Sequence, residues 1–153
     1  MPIDMKRKFP RPHGHHTITP GFAVPNAAAV ITFLESALGG KVVERYDGPN
    51  GTVGHAEVLL GDSVVMLGDA SPQYPAMPAS LSLYVDDGDA VDRTYQRAIA
   101  AGARSLTEPK NQFYGYRSAS VQDPGGNRWT LCAVVEEVSK EELARRMKDL
   151  PHG

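Results

Sequence analysis

The sequence predicts an α+β domain of two βαβββ modules in a pseudo-twofold arrangement that forms a cleft. Three observations lead there. Ile18 to Asp69 reads as strand, helix, strand and hairpin, and Leu81 to Ala133 passes through the same order. The offset between the copies is nearly constant, pairing Val24 with Val85, Phe33 with Tyr95, Gly40 with Gly102, Gly54 with Gly115 and Leu60 with Val121. Two copies are also too few to stack as a solenoid, so a paired single domain is the economical reading.

The predicted organisation is a flexible N-terminal arm over residues 1–14, one domain over 15–137 with module one at 15–69 and module two at 79–135, and a C-terminal helix over 138–153. TITPGFAV reads as the first strand, with Pro20 marking an edge or a bulge. Asn26 caps a helix whose apolar residues Val30, Phe33, Leu34 and Leu38 fall on one face, and Gly39-Gly40 stops it. Lys41 to Tyr46 is a strand, followed by the turn cluster Asp47-Gly48-Pro49-Asn50-Gly51.

Gly61-Asp62 reads as a two-residue hairpin turn, which sets the register: Leu60 opposite Ser63, Leu59 opposite Val64, Val58 opposite Val65 and Glu57 opposite Met66. Alternation then places His55, Glu57, Leu59, Val64 and Met66 on one face and Ala56, Val58, Leu60, Val65 and Leu67 on the other. The uniformly apolar set is expected against the helix. The mixed set is expected to line a space that admits polar groups.

A Pro-rich stretch from Ala70 to Ala79 joins the modules and is too short to separate independent domains. In module two, Asp89 is the expected cap of a helix burying Val91, Tyr95, Ala98 and Ile99, with Arg93 and Arg97 in solvent and Gly102 at its end. Ser139 and Glu142 form a capping-box pattern ahead of a short helix that shows Leu143, Met147 and Leu150 to a partner surface.

A chain of 153 residues can bury a core without a metal or disulfide scaffold. Its net charge of −2, with acids and bases interspersed, gives no electrostatic reason to expect nucleic acid or an anionic membrane as partner. Lys6, Arg7, Lys8 and Arg11 in the arm are the one basic cluster, read as an unstructured or partner-draped tail. The single Cys132 excludes an intramolecular disulfide, and no signal peptide or membrane span is evident, so the expected location is cytoplasmic.

The paired modules, the DPGGN at the last hairpin and the strand ending in LCA resemble the vicinal oxygen chelate superfamily of glyoxalase I, extradiol dioxygenases and bleomycin-resistance proteins. GHHTITP, GHAEVLLGDSVVMLGD, DPGGNRWTL and VSKEELARRM are similar to its PhnB-like branch. The resemblance implies a cleft, a homodimer, and in catalytic members a metal held by two ligands from each module. Those ligand positions correspond to Thr19, Met66, Ser80 and Thr130, none of which is His, Glu or Asp. A divalent ion needs basic nitrogens or carboxylates to replace its water, so no metal and no cofactor are expected there.

His55 and Glu57 are the best catalytic or anchoring candidates, and a His from the cluster His13, His15 and His16 joining them would approximate a facial triad. Their repeat counterparts, Tyr116 and Ser118, supply no matching ligands. Glu57 could equally pair with Arg117. The loop KNQFYGYR presents Phe113, Tyr114, Tyr116 and Arg117 for stacking on a flat or cationic ligand, or as a cover for the cleft. The resulting expectation is a metal-independent small-molecule-binding protein whose ligand-binding residues are Thr19, His55, Glu57, Met66, Ser80, Phe113, Tyr114, Tyr116, Arg117, Ser118 and Thr130. The alternatives are a lyase, isomerase or dioxygenase with relocated His/Glu metal ligands, a metal-free acid/base catalyst using Glu57 and His55, and an interaction module with a vestigial cleft.

Overall fold

The computed structural model describes residues 9–151. Lys6, Arg7 and Lys8 of the basic cluster, and the last two residues of the predicted C-terminal helix segment, lie outside them. Module one comprises β1 (Gly21–Val24), α1 (Ala27–Leu38), β2 (Lys41–Asp47), β3 (Val53–Leu60) and β4 (Ser63–Asp69), with a short 3-10 turn at Pro49–Gly51. Module two comprises β5 (Ser80–Tyr84), α2 (Gly88–Ala100), β6 (Arg104–Asn111), β7 (Tyr116–Gln122) and β8 (Arg128–Val134), and α3 (Lys140–Lys148) follows. The sheets repeat one topology: β1-β4-β3-β2 and β5-β8-β7-β6, with the first strand of each module parallel to the last.

The predicted register of the β3–β4 hairpin is the observed one, with Glu57 opposite Met66 and Leu60 opposite Ser63. Ala56, Val58, Leu60, Val65 and Leu67 are buried as expected. They join Val30, Phe33 and Leu34 of α1 in an apolar core that also takes in Val91, Tyr95 and Ala98 of α2 and Trp129 and Leu131 of β8. Each large side chain buried there contributes about 1.5–3 kcal/mol of transfer free energy. The two modules therefore share one core.

Three local expectations are corrected. The first strand begins at Gly21 rather than Ile18, because Pro20 offers a carbonyl to the Met66 N–H but has no N–H of its own. The cap of α2 is Asp87, whose carboxylate accepts from the Ala90 N–H at 2.8 Å, and Asp89 sits inside the first turn. Ile99 is 36% exposed and Thr94 is buried in its stead, because position 99 turns away from the stripe set by Val91, Tyr95 and Ala98. Gly102 does end the helix, with φ +95° just beyond its last residue.

Module two meets module one through the Asp123–Asn127 turn. Asp123 accepts from the Gly125 and Asn127 N–H groups, from Asn127 Nδ2 and from Trp129 Nε1, all within 2.8–3.0 Å. This folds Gly125 against Val24 and Val30, where a Cβ would come within 2.6 Å of a Val30 methyl. Asn127 in turn accepts from the Ala79 N–H at 2.8 Å. The DPGGN motif is thus a joint between the modules.

Candidate functional site

Strand alternation brings His55, Glu57 and Met66 to the side of module one that faces away from the helices. The segment before β1 crosses this face. The Gly14 carbonyl accepts from the Val64 N–H at 2.8 Å, so residue 14, assigned to the arm, is bound to the sheet. Gly14 takes φ +82°, and a Cβ there would lie 2.8 Å from methyl groups of both Leu59 and Val64. Only glycine suits both demands.

That close approach delivers His15 to Glu57. His15 Nε2 lies 2.9 Å from one carboxylate oxygen of Glu57, and His55 Nε2 lies 2.8 Å from the other. The side chains of His15 and Glu57 are mostly buried, whereas His55 keeps 43% of its side chain exposed. His16 bonds the Asp62 carbonyl at 3.1 Å, pinning the segment to the hairpin turn. As a carboxylate Glu57 can only accept, so both Nε2 atoms are donors and the neutral rings keep a bare lone pair at Nδ1. His15 Nδ1 is buried without a partner.

A cavity of about 650 Å³ opens beside this cluster, lined by His55 and Met66 of the sheet and by Tyr74, Pro75 and Met77 of the inter-module segment. That segment is held as a wall by the Met77 N–H, which donates to the Ala23 carbonyl at 2.9 Å. Asp69 reaches the lining but is committed to the fold: it accepts from the Ala27 N–H at 3.1 Å and the Val53 N–H at 2.6 Å. Of the predicted site residues, His55 and Met66 line the cavity and Glu57 stands directly behind His55.

The module-two candidates lie on the other sheet and on the turn between β6 and β7. Ser118 accepts from Gln112 Nε2 at 3.0 Å, and Ser120 bonds Thr130 at 3.2 Å. Ser80 is exposed at the start of β5. Phe113, Tyr114 and Tyr116 form a chain of ring contacts with centroids 5.2 Å apart at each step, and Tyr84 joins edge-on to Tyr116. The Tyr84 phenol is pushed up to about 12 by its hydrogen bond to the Tyr116 hydroxyl. Arg117 does not pair with Glu57; its guanidinium grips Asp92 of α2 at 2.9 and 3.1 Å. Trp129 is buried in the shared core.

The family's metal does not fit the residues present. The Thr19 hydroxyl is spent on the backbone of His16, Met66 offers a thioether, and Thr130 is paired with Ser120. Burial pushes the Cys132 thiol up, which disfavours the thiolate that a metal would need. The His15–Glu57–His55 cluster turns both Nε2 atoms onto the carboxylate, and among the described residues no group of three or more His, Cys, Asp or Glu side chains is arranged to hold a metal ion.

Sequence reasoning placed His15 in a histidine cluster but did not single it out, and it missed Tyr74 and Met77. The available signal for His15 was the adjacent Gly14. Nothing in the pattern of the Pro-rich segment marked it as a cavity wall.

A profile of the Glyoxalase/Bleomycin resistance protein/Dioxygenase superfamily matches residues 14–131, and the chain belongs to that superfamily. The uncharacterized protein Mb0911c of Mycobacterium bovis is 32% identical over 147 residues, covering 89% of this chain and 95% of its own length. The uncharacterized protein Rv0887c of Mycobacterium tuberculosis is also 32% identical over 147 residues, covering 89% and 85%. Protein PA1353 of Pseudomonas aeruginosa has a similar fold, with TM-score 0.66 at 22% identity, over 80% of this chain and all of that one. So does the PhnB protein of Bacillus cereus, with TM-score 0.62 at 19% identity, over 77% and 99%. No helix among the described residues is long and apolar enough to cross a membrane.

Proposed function

We propose that this protein binds a small organic molecule in the module-one cavity and does so without a metal. The observation that carries the reading is the 650 Å³ space walled by Met66, Tyr74, Pro75 and Met77, with the imidazole of His55 as its polar end. That volume and that mix of apolar wall and few polar groups suit a small-molecule site. Thioether and aromatic walls adapt to flat apolar ligands. Metal independence is supported by the donor chemistry at Thr19, Met66, Ser80 and Thr130.

A second reading has its own support. An imidazole backed by a carboxylate at 2.8 Å is the arrangement of a metal-free general base, because Glu57 would stabilise the imidazolium formed when His55 takes a proton. Binding remains the step common to both. The protein is also proposed to act as a homodimer, supported by the exposed Ile18 and Tyr84 on the open faces of the two modules.

The test is a fragment screen by thermal shift and NMR on the full chain, repeated after exhaustive treatment with chelator. Flat aromatic compounds are expected to raise the melting temperature equally before and after chelation. Filling the cavity by Met66→Trp is expected to abolish that shift while leaving the circular dichroism of the native fold. Binding that disappears on chelation and returns with a divalent ion would sink the metal-independent reading.

A further inference from the structure

Accepting that the cavity is a binding site, we infer that its ligand is a flat apolar molecule that donates one hydrogen bond, and that His55 Nδ1 receives it. The argument begins at Glu57, which as a carboxylate has no proton to give. Both imidazoles that touch it must therefore donate through Nε2, at 2.9 Å from His15 and 2.8 Å from His55. Each neutral ring then carries its lone pair on Nδ1. For His15 that atom is buried and out of reach.

For His55 the case is different, because its side chain is 43% exposed and lines the cavity. With Nε2 committed to Glu57, Nδ1 is the one polar atom this ring can offer, and in the neutral ring it offers only acceptance. The other polar group in the lining with a charge, Asp69, has both oxygens on backbone N–H groups. The rest of the wall is thioether, ring, aliphatic side chain, proline and backbone, apart from the exposed Gln73 amide, which can donate or accept and so sets no preference of its own. A ligand that brings an acceptor would face His55 lone pair to lone pair, whereas a ring N–H or hydroxyl would complete the imidazole's hydrogen bonding.

The test uses the matched pair indole and N-methylindole, which differ in the donor and keep the flat ring, together with benzylamine as a cationic probe. Affinities are measured by NMR titration of the full chain, in the wild type and in His55→Phe, which keeps a ring but removes the acceptor. Indole is expected to bind the wild type about fivefold to tenfold more tightly than N-methylindole, the size of one net hydrogen bond. In His55→Phe the preference for indole is expected to disappear, the two probes binding alike.

Equal affinities in the wild type would overturn the inference while leaving the cavity as a binding site. So would benzylamine binding more tightly than indole, which would assign recognition to the Glu57 charge. If neither indole binds and Met66→Trp changes no ligand's shift, the cavity reading itself fails and takes this inference with it. The wild-type comparison decides the matter even where His55→Phe does not fold.

Discussion

Asp123 and Glu57 are carboxylates set into the two modules of one repeat, and their surroundings divide structure from function. Asp123 is 5% exposed and receives four donors, two from backbone N–H groups and two from side chains of its own turn and strand. Every partner is supplied within the stretch that begins at Asp123 itself. Glu57 receives two donors, both imidazoles, and one of those arrives from a segment that precedes the sheet. One ring in the Glu57 cluster has a buried Nδ1 without a partner, and the other belongs to a half-exposed side chain that lines the cavity. A saturated carboxylate holds a fold together; a carboxylate that leaves its partners with unused lone pairs is equipped to meet something else.

The largest expected effect comes from breaking the saturated member. Asp123→Ala leaves Trp129 Nε1, the Asn127 amide and two backbone N–H groups buried without acceptors, and is expected to cost about 3–5 kcal/mol. Denaturant unfolding read by the single tryptophan, Trp129, measures it. Glu57→Gln keeps one acceptor oxygen for an imidazole and is expected to cost about 1 kcal/mol in the same assay. Equal losses in the two variants would erase the distinction on which the functional reading stands.

How legible this was in the sequence follows the same division. The hairpin register of module one could be read because strand alternation is strictly local, and a two-residue turn leaves little freedom in which residues face each other. The cap of α2 was misplaced by two residues because DDGD offers several carboxylates and only the backbone decides which one faces the first free N–H. His15 could not be separated from His13 and His16, since its meeting with Glu57 depends on a glycine approaching a sheet more than forty residues later in the chain. The cavity was invisible for a similar reason: Tyr74 and Met77 become walls only when the inter-module segment returns to β1. Likewise the residue types at the family's ligand positions were legible, because they follow from alignment of the repeat. Tautomers fixed by a shared carboxylate are not.

A middle-sized effect sharpens the comparison from the side of the crossing segment. Gly14→Ala places a methyl into Leu59 and Val64 and forces alanine to φ +82°, at an expected cost of about 1–2 kcal/mol. The two side chains can give way at their tips, so the body of the domain should stay folded. The loss is expected to be local, with faster amide exchange at Val64, whose N–H is held by the Gly14 carbonyl. If Val64 exchange is unchanged, His15 does not depend on this crossing and the Glu57 cluster is assembled by some other contact.

The smallest effect belongs to a third carboxylate, on α3. Glu142 accepts from Arg145 at 2.6 and 2.8 Å and from Arg146 at 2.9 Å. Ser139 caps the helix by accepting from the Glu142 N–H, but the Glu142 side chain turns to the arginines instead of completing the box. Arg146 also reaches the Phe113 carbonyl at 2.9 Å and Glu136, tying α3 to the aromatic loop. These arginine hydrogen bonds hold the Glu142 carboxyl down at about 2. A carboxylate lowered in the folded state contributes stability above its unfolded value of about 4.3, and that contribution is lost as pH falls through the folded one. Glu136 is lowered by the same guanidinium, so the two act in the same direction. The attachment of α3 is therefore expected to persist at pH 4 and to loosen only as pH approaches 2, as read by NMR shifts of Phe113 and Arg146. Because solvent screens these exposed pairs, Glu142→Gln at neutral pH should loosen only α3 and its loop, leaving the Trp129 signal unmoved. A loss of Trp129 burial in that variant would mean that the exposed carboxylates, and not Asp123, hold module two together.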